Sequence, residues 1–134
     1  MFSSTTTVRV RYAETDQMGV VYYGNYATFF EVGRVEALRE LGHTYKQMEE
    51  DGVMLPVLRL ECKYIRSAVY DDLLTVRTEI REMPGTRITF HHEILNEKGE
   101  LLTTGMVQLV FLDIQTRRPI QAPEGFKELF KPYF

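Results

Sequence analysis

Apolar residues recur along this chain with two different periods, and the change from one to the other marks its elements. Tyr26, Phe30, Gly33, Ala37 and Leu41 fall on one stripe at helical spacing. Phe29, Val32, Val35 and Leu38 widen that stripe, so this longest helix is expected to be enclosed on several sides. Asn25 fits its N-cap, Gly42 the position just past its last turn, and His43 the negative end of its dipole.

Elsewhere the period is two. Val8, Val10 and Tyr12 alternate with Arg9 and Arg11, and Leu58, Leu60, Cys62 and Tyr64 alternate with Arg59, Glu61 and Lys63. Leu74, Val76, Thr78 and Ile80 make a third set, and Ile88, Phe90, His92 and Ile94 a fourth. A fifth, from Leu101 to Leu112, is apolar on both faces. Pro84-Gly85, Asn96-Glu97-Lys98-Gly99 and Tyr70-Asp71-Asp72 carry the turn chemistry that joins antiparallel neighbours. Thr44-Tyr45-Lys46-Gln47 has the form of a capping box and predicts a short helix, and a further helix is expected from Pro123, ending near Pro132. The order of elements predicts an α+β fold: a long helix wrapped by a curved antiparallel sheet.

Composition narrows the function. The 134 residues suit one domain spanning 1–134, with no repeat or linker to divide it. Met1 to Thr7 is short and polar, without the regions of a secretory signal, and no apolar run approaches a bilayer span, so a cytoplasmic protein with no membrane span is expected. The lone Cys62 cannot form an internal disulfide and reads as a small core residue of a reducing compartment. A net charge of −3 argues against nucleic acid as a partner. His91 and His92, adjacent on a strand, face opposite ways and make no shared metal site; neither metal nor cofactor is expected.

The candidate chemistry lies just ahead of the long helix, in Arg11-Tyr12-Ala13-Glu14-Thr15-Asp16-Gln17-Met18-Gly19 and the run Tyr22-Tyr23-Gly24-Asn25-Tyr26. A helix N-terminus presents unpaired N–H groups and partial positive charge, so a carbonyl oxygen there gains most when it becomes an oxyanion. A carboxylate beside it supplies a base or a nucleophile, which is sufficient for a thioester, whose thiol leaving group has a pKa near about 8.5. Asp16 followed by Gly19 also reads as a plain turn carboxylate. Glu14, two residues earlier, is the second-choice base if the segment is extended. A phosphorylated carrier such as coenzyme A needs converging cations, for which Arg66, Arg81 and Arg87 near strand ends are the candidates.

The Asp16 segment, the Tyr22–Tyr26 run and Ser67-Ala68-Val69-Tyr70-Asp71-Asp72-Leu73-Leu74 together resemble the hotdog-fold acyl-CoA thioesterases of the 4-hydroxybenzoyl-CoA thioesterase family, over most of the chain. The resemblance implies a site at a subunit interface, with Asp16 acting on the thioester and the Tyr23 backbone N–H polarising its carbonyl. It further implies that Glu31 borders the acyl pocket, and Tyr26 and Phe30 are assigned to the same pocket, with Arg66 and Arg87 on the coenzyme. Tyr23 stands where the relatives associated with the Tol-Pal envelope system usually carry His, and only part of the basic cluster of the 4-hydroxybenzoyl branch is matched around Met83 to Arg87. A homodimer or homotetramer is expected, pairing through the fifth strand. Acyl-CoA is the expected partner, with acyl carrier protein as the alternative carrier. Two other readings are a non-catalytic module that binds acyl-CoA or acyl carrier protein, and a hydroxyacyl dehydratase, although no Asp/His pair occupies the helix position that reaction would use.

Overall fold

The computed structural model describes residues 1–134. Five strands form one antiparallel sheet: β1 (Phe2–Arg9), β3 (Val57–Tyr64), β4 (Leu73–Ile80), β5 (Arg87–Leu95) and β6 (Leu101–Val110), in the spatial order β1-β4-β5-β6-β3. A two-stranded piece pairs β2 (Val53–Met54) with β7 (Leu112–Asp113). The long helix α1 (Asn25–Glu40) lies across the concave face, α2 (Tyr45–Glu50) follows it, and α3 (Glu124–Glu128) closes the chain. This is the helix-on-sheet arrangement anticipated from the element order, and the hotdog fold that the resemblance implied.

Alternation maps directly onto the sheet. Leu74, Val76, Thr78 and Ile80 of β4 and Ile88, Phe90, His92 and Ile94 of β5 all face inward and are buried. Against them α1 sets Tyr26, Phe29, Phe30, Gly33, Ala37 and Leu38. Val32 and Val35 are only half-buried, because one chain covers one side of the helix. Beyond the end of α1 the core continues through Met48, Phe111, Phe126 and Phe130. Each such ring contributes about 1.5–3 kcal/mol by leaving water.

Helix and sheet approach unusually closely at two glycines. A methyl group on Gly33 would stand 2.7 Å from both Thr78 Oγ1 and Val76 Cγ1, and one on Gly105 of β6 would overlap the Phe30 ring. Phe30 lies flat on Gly105 and stacks on His92, with centroids 4.9 Å apart and planes 5° from parallel. The helix ends as predicted: His43 N–H donates to Leu38 O and Gly42 N–H to Arg39 O, which satisfies two orphan carbonyls. Both halves of the Thr44–Gln47 capping box are formed.

Three expectations are corrected. The first strand runs from Phe2 to Arg9, because the Thr-rich start pairs with β4 along its whole length, while Tyr12 lies in a 3₁₀ turn. Asn25 is not the N-cap but the first helical residue, and its side-chain amide donates to Glu14 O. The apolar fifth strand, β6, is interior between β5 and β3, so its edges are already paired. The unpaired apolar edge is β3, where Val57, Leu58, Leu60 and Tyr64 are each about half exposed.

Candidate active site

The segment between β1 and α1 is held by short local bonds. Residues 12–14 form a 3₁₀ turn in which Glu14 folds back, its Oε1 accepting from Arg11 N–H at 2.7 Å and its Oε2 facing Arg11 Nη2 at 3.3 Å. Glu14 is buried and so engaged, which removes it as a base. The expectation that it shares a side with Asp16 assumed an extended backbone, and the 3₁₀ turn breaks that period.

Asp16 follows at the start of a tight turn. Its N–H donates to Val20 O, its carbonyl accepts from Gly19 N–H, and an antiparallel bridge joins Thr15 to Val21. Gly19 has φ +82°, a left-handed conformation that glycine adopts at little cost. Asp16 Oδ1 accepts from Met18 N–H at 2.8 Å, and Oδ2 is left without a hydrogen bond. One carboxylate oxygen fixes the loop and the other is free. An open cleft beside it is lined by Tyr12, Thr15, Asp16, Gln17, Gly19 and Tyr70.

The amino end of α1 is fixed from two directions. Tyr22 N–H donates to Glu14 O, and Tyr64 of β3 donates its hydroxyl to Tyr23 O at 3.3 Å. Tyr23 and Gly24 N–H have no acceptor within the chain. These two donors sit where the helix dipole is positive. The Tyr22 hydroxyl is pushed above its ordinary range, first by its hydrogen bond with Tyr23 and in smallest part by the Asp16 charge.

The other anticipated residues separate. Tyr26 is buried, its hydroxyl accepting from Ala68 N–H at 3.3 Å, and burial pushes that hydroxyl up. Phe30 is fully enclosed against Gly105 and His92. Both rings are core packing in this chain, not pocket lining. Glu31 is exposed and borders a cleft of about 210 Å³ between α1 and β3. Arg66 pairs with Glu100 at 3.0 Å near the Asp16 end of the sheet, whereas Arg87 starts β5 at the opposite end and reaches Gln108 at 3.4 Å. One chain does not bring those two cations together. Arg81 pairs with Glu79 on the outer face.

Burial sets the remaining ionisable groups. His92 hydrogen-bonds Thr78 through Nδ1 at 3.0 Å, and burial, with Arg34 nearby, lowers its pKa to about 3, so it is a neutral core residue. Cys62 is pushed up by burial, the opposite of an activated thiol. Its thiol beside the Tyr64 hydroxyl raises that phenol to about 12. The sequence reading missed Arg34, a buried arginine in the apolar stripe of α1. Its position four residues after Phe30 and three before Ala37 was the available signal.

A five-stranded antiparallel sheet packed on one long helix, with two free N–H donors at the helix's amino end and a half-free carboxylate in the loop that leads into it, points to a class. The chain matches the family model of the thioesterase-like superfamily over residues 10–130 and belongs to that superfamily. It is similar to a DHNA-CoA thioesterase from Staphylococcus aureus, with 40% identity and a TM-score of 0.87, covering 100% of this chain and 85% of that one. Among curated relatives, the acyl-CoA thioesterase YbgC of Haemophilus influenzae is 36% identical over 124 residues, 92% of this chain and 90% of that protein. The acyl-CoA thioester hydrolase YbgC of Escherichia coli O157:H7 is 34% identical over 124 residues, 92% of each. No helix is long and apolar enough to cross a membrane.

Proposed function

We propose that this thioester hydrolase acts on acyl-CoA, with Asp16 as nucleophile or general base and the Tyr23 N–H as oxyanion donor. The observation that carries the reading is the free Oδ2 of Asp16 in the loop that leads directly into the unpaired N–H groups at the amino end of α1. As general base, Asp16 takes a proton from water while the water oxygen attacks the carbonyl carbon. The C–S bond then breaks, the sulfur leaves as thiolate, and the proton returns to it or to solvent. As nucleophile, Asp16 attacks the carbonyl carbon and breaks the C–S bond, so the thiolate leaves and a mixed anhydride remains; water then cleaves the anhydride to the free acid and the regenerated Asp16 carboxylate, and the released proton goes to the thiolate or to solvent. In both routes the carbonyl oxygen gains charge facing Tyr23 N–H, a contact whose removal typically costs about 10²–10³ in rate.

The working unit is a homodimer, or a tetramer built from two, paired through β3. Its unpaired edge and its half-exposed Val57, Leu58, Leu60 and Tyr64 support this, since such an edge invites pairing with a second copy. An antiparallel pairing carries the partner's far sheet end toward the Asp16 end, which would unite Arg66 of one subunit with Arg87 of the other on a coenzyme phosphate. Glu31 borders the acyl group from the α1 face. Acyl carrier protein is the alternative carrier, and the site is cytoplasmic.

Thiol release from short, medium, long and aromatic acyl-CoAs tests the reading. Turnover on at least one supports it. Binding of acyl-CoA without turnover on any would replace it with the non-catalytic module.

A further inference from the structure

Arg34 is the one charged side chain of α1 that points into the protein. Only 10% of its side chain is exposed, and its nearest carboxylate, Glu31, stands at 4.0 Å and is itself 65% exposed. Arg34 Nε has no hydrogen-bond partner, and the buried hydroxyl of Tyr45 lies against the guanidinium without reaching good hydrogen-bond geometry. A guanidinium does not shed its charge, so burial beside a neutral hydroxyl, with the nearest carboxylate at 4.0 Å, leaves it short of an anionic partner.

Two clefts meet at Glu31 and Arg34. The smaller, about 210 Å³, follows α1 toward its amino end past Thr28, opposite Val57 and Leu60 of β3. The larger, about 590 Å³, opens beneath α2, where Arg34, Arg39 and Lys46 outnumber Glu31 and Glu49. Arg39 is turned to Glu36 at 3.4 Å, which leaves Arg34 as the inward cation. A ligand entering at the amino end of α1 therefore runs along an apolar wall and ends at a guanidinium. The rise from Tyr23 to Arg34 at about 1.5 Å per residue, less the reach of an arginine that leans back toward the amino end, leaves roughly 10 Å, the length of a medium acyl chain.

We propose that Arg34 receives the far end of the acyl group, and that the preferred substrates are thioesters of medium length whose acyl chain ends in a carboxylate. The proposal rests on the acyl-CoA reading above and adds the substrate class. A carboxylate matches the planar fork of a guanidinium and supplies the acceptor that Glu31 provides only at 4.0 Å. The Glu31 carboxylate is turned largely to solvent, where water screens its repulsion. A methyl-ended chain of the same length would leave Arg34 as unpaired as it is now.

Suberoyl-CoA and octanoyl-CoA differ only at that far end, and their kcat/KM values are compared in the native protein, Arg34→Met and Arg34→Lys. The native protein is expected to favour suberoyl-CoA by about tenfold to hundredfold, the factor of a charged hydrogen bond. Arg34→Met should bring the ratio to one or below, and Arg34→Lys should keep part of it. The ratio is the readout because a weakened fold lowers both rates together. A native ratio near one, or an unchanged ratio in Arg34→Met, overturns the inference and leaves the hydrolase reading standing. If neither thioester is turned over, calorimetric affinities decide: equal affinities overturn the inference, whereas tighter suberoyl-CoA binding that Arg34→Met abolishes supports it, and the hydrolase reading is judged separately on the full acyl-CoA panel.

Discussion

Gly105→Ala tests whether the contact between β6 and α1 sets the position of the site. The added methyl would fall inside van der Waals contact with Cζ and Cε2 of Phe30. The ring cannot slide away freely, since it is stacked on His92 at 4.9 Å and belongs to a fully buried layer. Overpacking of this kind costs about 1–3 kcal/mol, and with the ring confined the upper end is expected. Phe30→Leu alone should cost about 1–2 kcal/mol in lost burial, but in the double variant the smaller side chain makes room for the methyl. The pair should therefore be less destabilising than the sum by at least about 1 kcal/mol. Urea unfolding at one fixed protein concentration measures all three, because an oligomer's stability depends on concentration. The contact also carries α1, so Gly105→Ala should lower kcat even where the protein is fully folded; a misplacement of about 1 Å can cost about 10²-fold. A Gly105→Ala variant within about 0.5 kcal/mol of native, or strict additivity in the double variant, would refute the reasoning.

Three further outcomes are expected. His92 has a folded pKa of about 3 against an ordinary 6.5, so its contribution to stability is complete above pH 6.5 and is lost as pH falls toward 3, by about 1.4 kcal/mol per pH unit; urea midpoints at pH 7.5 and 5 should diverge less in His92→Gln, and equal divergence would contradict the assignment. Leu60→Glu places a charge on the exposed β3 edge and should shift the protein to monomer in light scattering with loss of turnover, whereas a persistent active dimer would argue against β3 pairing. Glu14→Gln weakens the Arg11 contacts and should cost about 1–3 kcal/mol in stability while kcat of the folded protein stays within about threefold; a far larger loss would restore Glu14 as a base.

The sequence made the sheet and the long helix legible because one face of each is buried, and burial writes itself as period two or period 3.6. What it left unread was non-local. Ser3 to Thr7 looks like a polar tail until β4 pairs with it. Apolar faces do not reveal strand neighbours, so β6 and β3 exchanged roles as the exposed edge. Asn25 has the chemistry of an N-cap, but Glu14 O, eleven residues back, takes its amide. Tyr26 and Phe30 were assigned to the pocket by position, yet their stripe faces the sheet and the rings are enclosed by it. Arg34 was passed over because charged residues are seldom buried, although its place in the stripe pointed inward. Asp16 was read as the reacting carboxylate with a turn role as the alternative, and only the geometry shows that a turn engages one of its two oxygens.

The central claim is that Asp16 acts on the thioester, and the most direct test is kcat and acyl-CoA affinity measured together for native protein and Asp16→Asn at matched oligomeric size. Asparagine keeps an oxygen to accept from Met18 N–H, so the turn and the binding surface should survive. The account predicts a kcat lower by about 10²–10⁴ with affinity within a few-fold of native. A variant that retains kcat within about threefold would contradict it.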